Sequence, residues 1–254
     1  MNFELYRFCM LSEKPWKGEA LVRLLLWLLI TFFLASLLTQ LLGKFPLSDN
    51  AEKLFRTILT PLALQVATLF WVGFFLREQK ISWTTAFFSS SLRSWIILMG
   101  LGAGICVLPF AWMLQQFSAQ IMTSVHVQPE LQLIVKKMQS VETPLTYQIF
   151  LGFVGILLAP VTEEILFRGL LYPTIKQAGF PKLALWGTAF FFAAIHINLV
   201  SFVPLVFFAL VLTSLYERTN NLLAPILAHS VFNTVNFMML IYEKPISRFL
   251  ERVS

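Results

Sequence analysis

Two adjacent glutamates and an arginine, Glu163, Glu164 and Arg168, stand inside the apolar run LLAPVTEEILFRGLLYP (157–173). The apolar stretch around them is long enough to cross a bilayer, where an ionised carboxylate costs roughly 2.5–3.5 kcal/mol on insertion scales. These groups must therefore face protein or a water-filled cavity. Glu164 and Arg168 are four apart with the glutamate first, the favourable order for a helical ion pair. Glu163 points about 100° away around the same helix and is left without a local partner. It is the residue that most needs a chemical explanation.

Two further polar sites share that setting. His196 lies in FFFAAIHIN and His229 in ILAHSVFN, with Asn233 one turn after His229 on the same helical face. Counted inward at 1.5 Å per residue, Glu163 lies roughly 14 Å from Tyr172, His196 roughly 20 Å from Leu183, His229 roughly 10 Å and Asn233 roughly 16 Å from Leu222. One polar layer accommodates all four. Pro160 and Pro225 precede two of the sites; a proline inside a helix frees a carbonyl and bends the axis, whereas Pro225 also suits a helix start.

A carboxylate and a neutral imidazole in a desolvated site can share a water and remove its proton. A second imidazole with an amide supplies donors for the oxyanion formed when water adds to a carbonyl. That set describes peptide hydrolysis without a covalent enzyme intermediate. No serine or cysteine stands in a nucleophile motif. Glu163, His196 and His229 also make a zinc-type ligand trio, although no HExxH helix is present. The cofactor expectation is accordingly none or a divalent metal such as zinc.

The elements that must position these groups are membrane helices. Of 254 residues, 57% are hydrophobic and 13% charged, and mean hydropathy is +0.75. A soluble domain cannot hide that much apolar surface, so the solvent is lipid. Seven segments at approximately 21–42, 57–76, 95–117, 147–172, 183–199, 201–216 and 222–242 predict an all-α polytopic bundle of about seven (6–8) spans. Residues 1–146 read as anchoring spans with a surface loop and 147–242 as the catalytic core, together one integrated membrane domain. Within the loop, ELQLIVKKMQSV (130–141) has helical spacing suited to the membrane surface. GLGAG places Gly100 and Gly104 four apart, a spacing that permits close helix approach.

The net charge of +6 excludes little, because Lys and Arg flank membrane spans; no basic-aromatic nucleic-acid module is present. Cys9 and Cys106 fit no metal spacing, and Cys106 is expected to pack internally. His126, in the long loop, is given no role. No internal repeat argues for a transporter using Glu163 as a proton relay. The first apolar run is too long for an ordinary signal segment, and the location expected is a prokaryotic inner membrane.

The polar residues also form three ordered motifs. EEILFR, FAAIH (Phe192 to His196) and HSVFN (His229 to Asn233) resemble the EExxxR, FxxxH and HxxxN motifs of the CAAX-protease and bacteriocin-processing (CPBP, or Abi) family of intramembrane proteases. The resemblance covers roughly residues 145–240. It implies that Glu163 and His196 activate water, that His229 and Asn233 stabilise the oxyanion, and that Glu164 and Arg168 hold the motif helix, with Phe192 as packing. The implied substrate is a membrane-associated protein or peptide. Members are often described as metalloproteases, although a glutamate-dependent mechanism has been argued. A non-catalytic adaptor or bacteriocin-immunity role is the alternative. Where many relatives carry two glycines before the last motif, this chain has Ala209 and Thr213, a departure expected to bear on cavity width and substrate choice.

Overall fold

The structure, a computed structural model, describes residues 11–42, 60–88, 94–126 and 145–253. Among these residues the elements are helical: α1 Gly18–Leu42, α2 Thr60–Glu78, α3 Trp83–Phe87, α4 Ser94–Ser124, α5 Leu145–Gln177, α6 Pro181–Ala194, α7 Leu199–Thr219 and α8 Leu223–Val253. Each of the seven apolar segments carries a helix, and α3 is an additional short turn. Five of the helices, α1, α4, α5, α7 and α8, are long and apolar enough to cross a membrane. The surface helix expected at 130–141 and Cys9 lie outside the described residues.

One predicted span ends early. The 183–199 segment is helical only to Ala194, giving α6 14 residues. At about 21 Å it falls short of a hydrocarbon core of about 30 Å. His196 therefore sits in the turn between α6 and α7 and not within a helix. Irregular backbone of this kind is tolerated in a membrane where protein or a water-filled cavity receives it.

Large apolar side chains are exposed on the helix surfaces, among them Phe33 of α1, Phe70 of α2 and Leu98 of α4. Cys106 is exposed as well, contrary to the packing expected of it. The interior has two apolar clusters. One gathers Trp16, Leu24, Phe75, Phe87 and Tyr216 where α1, α2 and α3 meet the ends of α5 and α7. The other joins Val107 of α4 to Phe167, Phe192, Phe208 and Leu212 around the motif residues.

Helix α4 is more than an anchor. A Cβ at Gly104 would stand 2.7 Å from the Ala228 carbonyl oxygen, and one at Gly100 2.6 Å from that of Ala224. Only a residue without a side chain permits α4 to lie this close to α8, the helix carrying His229 and Asn233. Gly102, between them, would meet nothing within 4 Å. Two turns further along, Trp112 Nε1 donates to Asn236 Oδ1 at 3.0 Å and fixes the register of the pair.

Candidate active site

Helix α5 is not uniformly wound. Its backbone widens into π-helical turns over Val154–Leu158 and over Ile165–Leu171, leaving a short α-helical stretch, Ala159–Glu164, between them. The proline in that stretch, expected to bend the helix, accounts for the first widening. Its ring would press on the carbonyl four residues back, and it has no N–H to donate. Moving to the wider register relieves the first problem. π turns of this kind are frequent at functional sites.

Glu164 is fully buried, and its Oε1 accepts at 2.9 Å from Arg168 Nη1 and at 2.9 Å from His229 Nδ1. Arg168 is equally buried. Its Nη2 donates to the Ala209 carbonyl at 3.0 Å and its Nε to Thr213 Oγ1 at 3.4 Å. Thr213 Oγ1 in turn donates to the Ala209 carbonyl at 2.9 Å. Thus Ala209 and Thr213 form the seat of the arginine. The guanidinium also stacks 4.7 Å above the Phe192 ring, a cation–π contact strengthened by burial.

The state of His229 follows from its partner. An ionised carboxylate only accepts, so Nδ1 carries a proton and donates to Glu164; in the neutral ring this tautomer puts the lone pair on Nε2. That nitrogen lies 3.9 Å from Glu163 Oε2, a buried oxygen without a hydrogen-bond partner among the described residues. The Glu163 side chain is 20% exposed, although Oε2 itself is covered. The imidazole facing Glu163 in the structure is that of His229; the family resemblance implies a water shared by Glu163 and His196.

His196 is half-buried, with Nδ1 2.7 Å from the Phe192 carbonyl oxygen, a contact in which the ring nitrogen donates. In the neutral ring this leaves Nε2 as an acceptor. Phe192 separates the two imidazoles, 4.9 Å from the His196 ring and 5.8 Å from that of His229; Phe208 covers His229 at 5.2 Å. The next residue, Ile197, has φ 47° and is 91% exposed. A β-branched residue in the left-handed region is strained by about 1–3 kcal/mol. The turn that aims His196 inward is held despite that cost, with Asn198 capping α7 through a 2.9 Å bond from the Ser201 N–H. His126 also has a positive φ, and it is exposed.

Asn233 is on α8 one turn beyond His229, as its spacing requires, and its Nδ2 donates to the Gly155 carbonyl at 2.7 Å. Two contributors escaped sequence reasoning. Gln65 of α2 accepts a hydrogen bond from Thr162, next to the glutamate pair. Phe208 packs on His229. A glutamine and a phenylalanine carry no signal in so apolar a chain. As ligands for zinc, Glu163, His196 and His229 do not fit: among the described residues no three His, Cys, Asp or Glu side chains converge as a metal-binding group.

With this geometry in place, comparison with known proteins is informative. Residues 145–235 match the family model described as type II CAAX prenyl endopeptidase Rce1-like. That stretch holds all three motifs, and the resemblance to the CAAX-protease family stands. The chain is also similar to UPF0177 protein YaiF of Lactococcus lactis subsp. lactis (strain IL1403), 30% identical over 138 residues. That similarity covers 52% of this chain and 60% of the relative, so the chain spans less than two thirds of the curated protein it matches. No solved structure matches. The chain is an integral membrane protein with an Rce1-like helical segment.

Proposed function

We propose that the chain is an intramembrane endopeptidase that hydrolyses a peptide bond of a membrane-associated protein or peptide with an activated water. The observation that carries this reading is the 3.9 Å approach of Glu163 Oε2 to His229 Nε2; with His229 in its neutral form and Nδ1–H bound to Glu164, both atoms are acceptors. Such a pair is served by a shared proton or a water, and a water that donates to both is ready to lose a proton.

In the reaction, water oxygen bonds to the peptide carbonyl carbon while Glu163 takes its proton. The carbonyl π electrons move to oxygen, and the resulting oxyanion is met by an N–H. The proton taken from water supplies it once it is shared from Glu163 to His229 Nε2, 3.9 Å away, where the Glu164 carboxylate at Nδ1 stabilises the imidazolium. Collapse of the tetrahedral species breaks the C–N bond, and that same proton passes to the leaving nitrogen. His196 Nε2 is the second acceptor available to orient the water. Arg168 holds Glu164 ionised without touching substrate.

The test compares protein termini across the proteome in cells carrying wild type or Glu163→Gln at matched membrane levels. New termini that vanish in the variant are expected. Identical termini from well-expressed proteins overturn the proposal and favour a non-catalytic adaptor or immunity role.

A further inference from the structure

The hydrogen bond between Asn233 and Gly155 has a cause in the chain itself. In the first wide turn of α5 the Ala159 N–H donates to the Val154 carbonyl, five residues back. The next donor in that register is residue 160, and the carbonyl assigned to it is that of Gly155. Residue 160 is a proline with no N–H, so the register orphans the Gly155 oxygen. Asn233 Nδ2 stands 2.7 Å from that oxygen and replaces the missing donor from another helix.

We propose that Asn233 is a positioning residue: its side-chain amide completes the wide turn that Pro160 leaves open and thereby fixes the rotation of Glu163 toward His229. Each residue added to a turn rotates everything beyond it by about 100° relative to a regular α-helix. The facing of residues 163 and 164 therefore depends on the wide turn persisting. Helix α8 grips α5 at two points through side chains one turn apart, Asn233 at Gly155 and His229 at Glu164. Those points are nine residues apart along α5, about 13 Å, so together they fix both its translation and its rotation. This assignment rests on the proposed hydrolytic reading only in naming Glu163 as the group that must be aimed. It differs from the oxyanion role implied by family resemblance, because the partner is a backbone carbonyl of the chain itself.

The experiment is a double-mutant cycle on the full chain in lipid bicelles. Asn233→Ala removes the amide, Pro160→Ala restores a backbone N–H at position 160, and the double variant combines them. Unfolding midpoints and the ¹⁵N resonances of the His229 ring are read for all four proteins, and Glu163-dependent cleavage where a substrate is in hand. Asn233→Ala is expected to lower the midpoint, move the His229 resonances away from the Nδ1–H form and reduce cleavage at least tenfold. Pro160→Ala in that background gives the Gly155 oxygen a backbone donor again and is expected to return at least half the lost midpoint, while the His229 resonances and cleavage stay displaced because the proline also favours the wide turn. Strictly additive midpoints, or His229 resonances unmoved by Asn233→Ala, overturn the assignment. Asn233→Asp, isosteric but without N–H donors, guards against a misleading cavity effect and is expected to be no milder than alanine. Midpoints and resonances need no peptidase activity, so failure of the hydrolytic reading leaves this test decisive.

Discussion

His229 Nδ1 and Glu164 Oε1 lie 2.9 Å apart and join helices α8 and α5 across a separation of 65 residues. The same oxygen accepts from Arg168, so one buried carboxylate atom balances a guanidinium and orients an imidazole. This makes Glu164 the hinge between the scaffold of the site and its chemistry. On the proposed hydrolytic reading the paired glutamates have distinct work: Glu164 fixes a neighbour's proton, and Glu163 takes part in the reaction.

Arg168→Met is therefore expected to be severe. It strands a fully buried carboxylate, and breaking a buried pair by removing one partner costs about 3–5 kcal/mol. Removing both charges, as Glu164→Gln with Arg168→Met, is expected to recover most of that loss, because an apolar replacement of a buried pair is often near neutral. Arg168→Lys is expected to fall between, since an ammonium cannot reach Glu164, the Ala209 carbonyl and Thr213 together. Denaturant unfolding of the four proteins in bicelles checks this. A double variant as unstable as Arg168→Met counts against the charge account.

The all-helical bundle was legible from apolar run lengths, because lipid leaves a spanning chain few other ways to satisfy its backbone. The Glu164–Arg168 pair was legible from its spacing for the same reason. The partner of Glu163 was not. Depth along separate helices can be counted from sequence, but rotation about their axes cannot, and the wide turns in α5 alter that rotation. The end of α6 at Ala194 was hidden too, since Ile195 and Ile197 are as apolar as the helix before them. Thr213 was flagged as a departure from the family pattern, yet only the structure shows its hydroxyl beneath Arg168.

GLGAG yields a prediction with an internal control. Gly104→Ala pushes a Cβ into the Ala228 carbonyl and forces α8, with His229, away from α4. Gly102→Ala changes the same helix by the same atoms on a face that meets nothing. Overpacking of this type costs about 1–3 kcal/mol, whereas the control is expected to stay within about 0.5 kcal/mol of wild type. Thermal unfolding of both, with the His229 ring resonances as a reporter of the α5–α8 contact, checks the difference. Equal behaviour of the two variants would show that the close approach of α4 is dispensable.

Lys14 supplies a pH-dependent prediction outside the membrane-spanning segments. Its Nζ donates to the Ala86 carbonyl at 2.7 Å and lies 5.6 Å from the centre of the Tyr216 ring. Burial there lowers its pKa from 10.5 to about 8. A lysine whose folded pKa is depressed releases its proton at lower pH in the folded chain than in the unfolded one. Between about 8 and 10.5 the unfolded state therefore holds the extra proton, and stability gains a contribution as pH rises through that window. Below about 8 both states are charged and the desolvation penalty is constant. Acylation of Lys14 by a small amine reagent, followed by mass spectrometry, is expected to show a rate midpoint near 8, well below that of an ordinary lysine at about 10.4. Lys14→Gln keeps a donor for Ala86 and removes the titration, so its unfolding midpoint is expected to vary less with pH across the window. A wild-type acylation midpoint at the ordinary lysine value would show that the amine is solvated and that the N-terminal segment does not hold it against Tyr216.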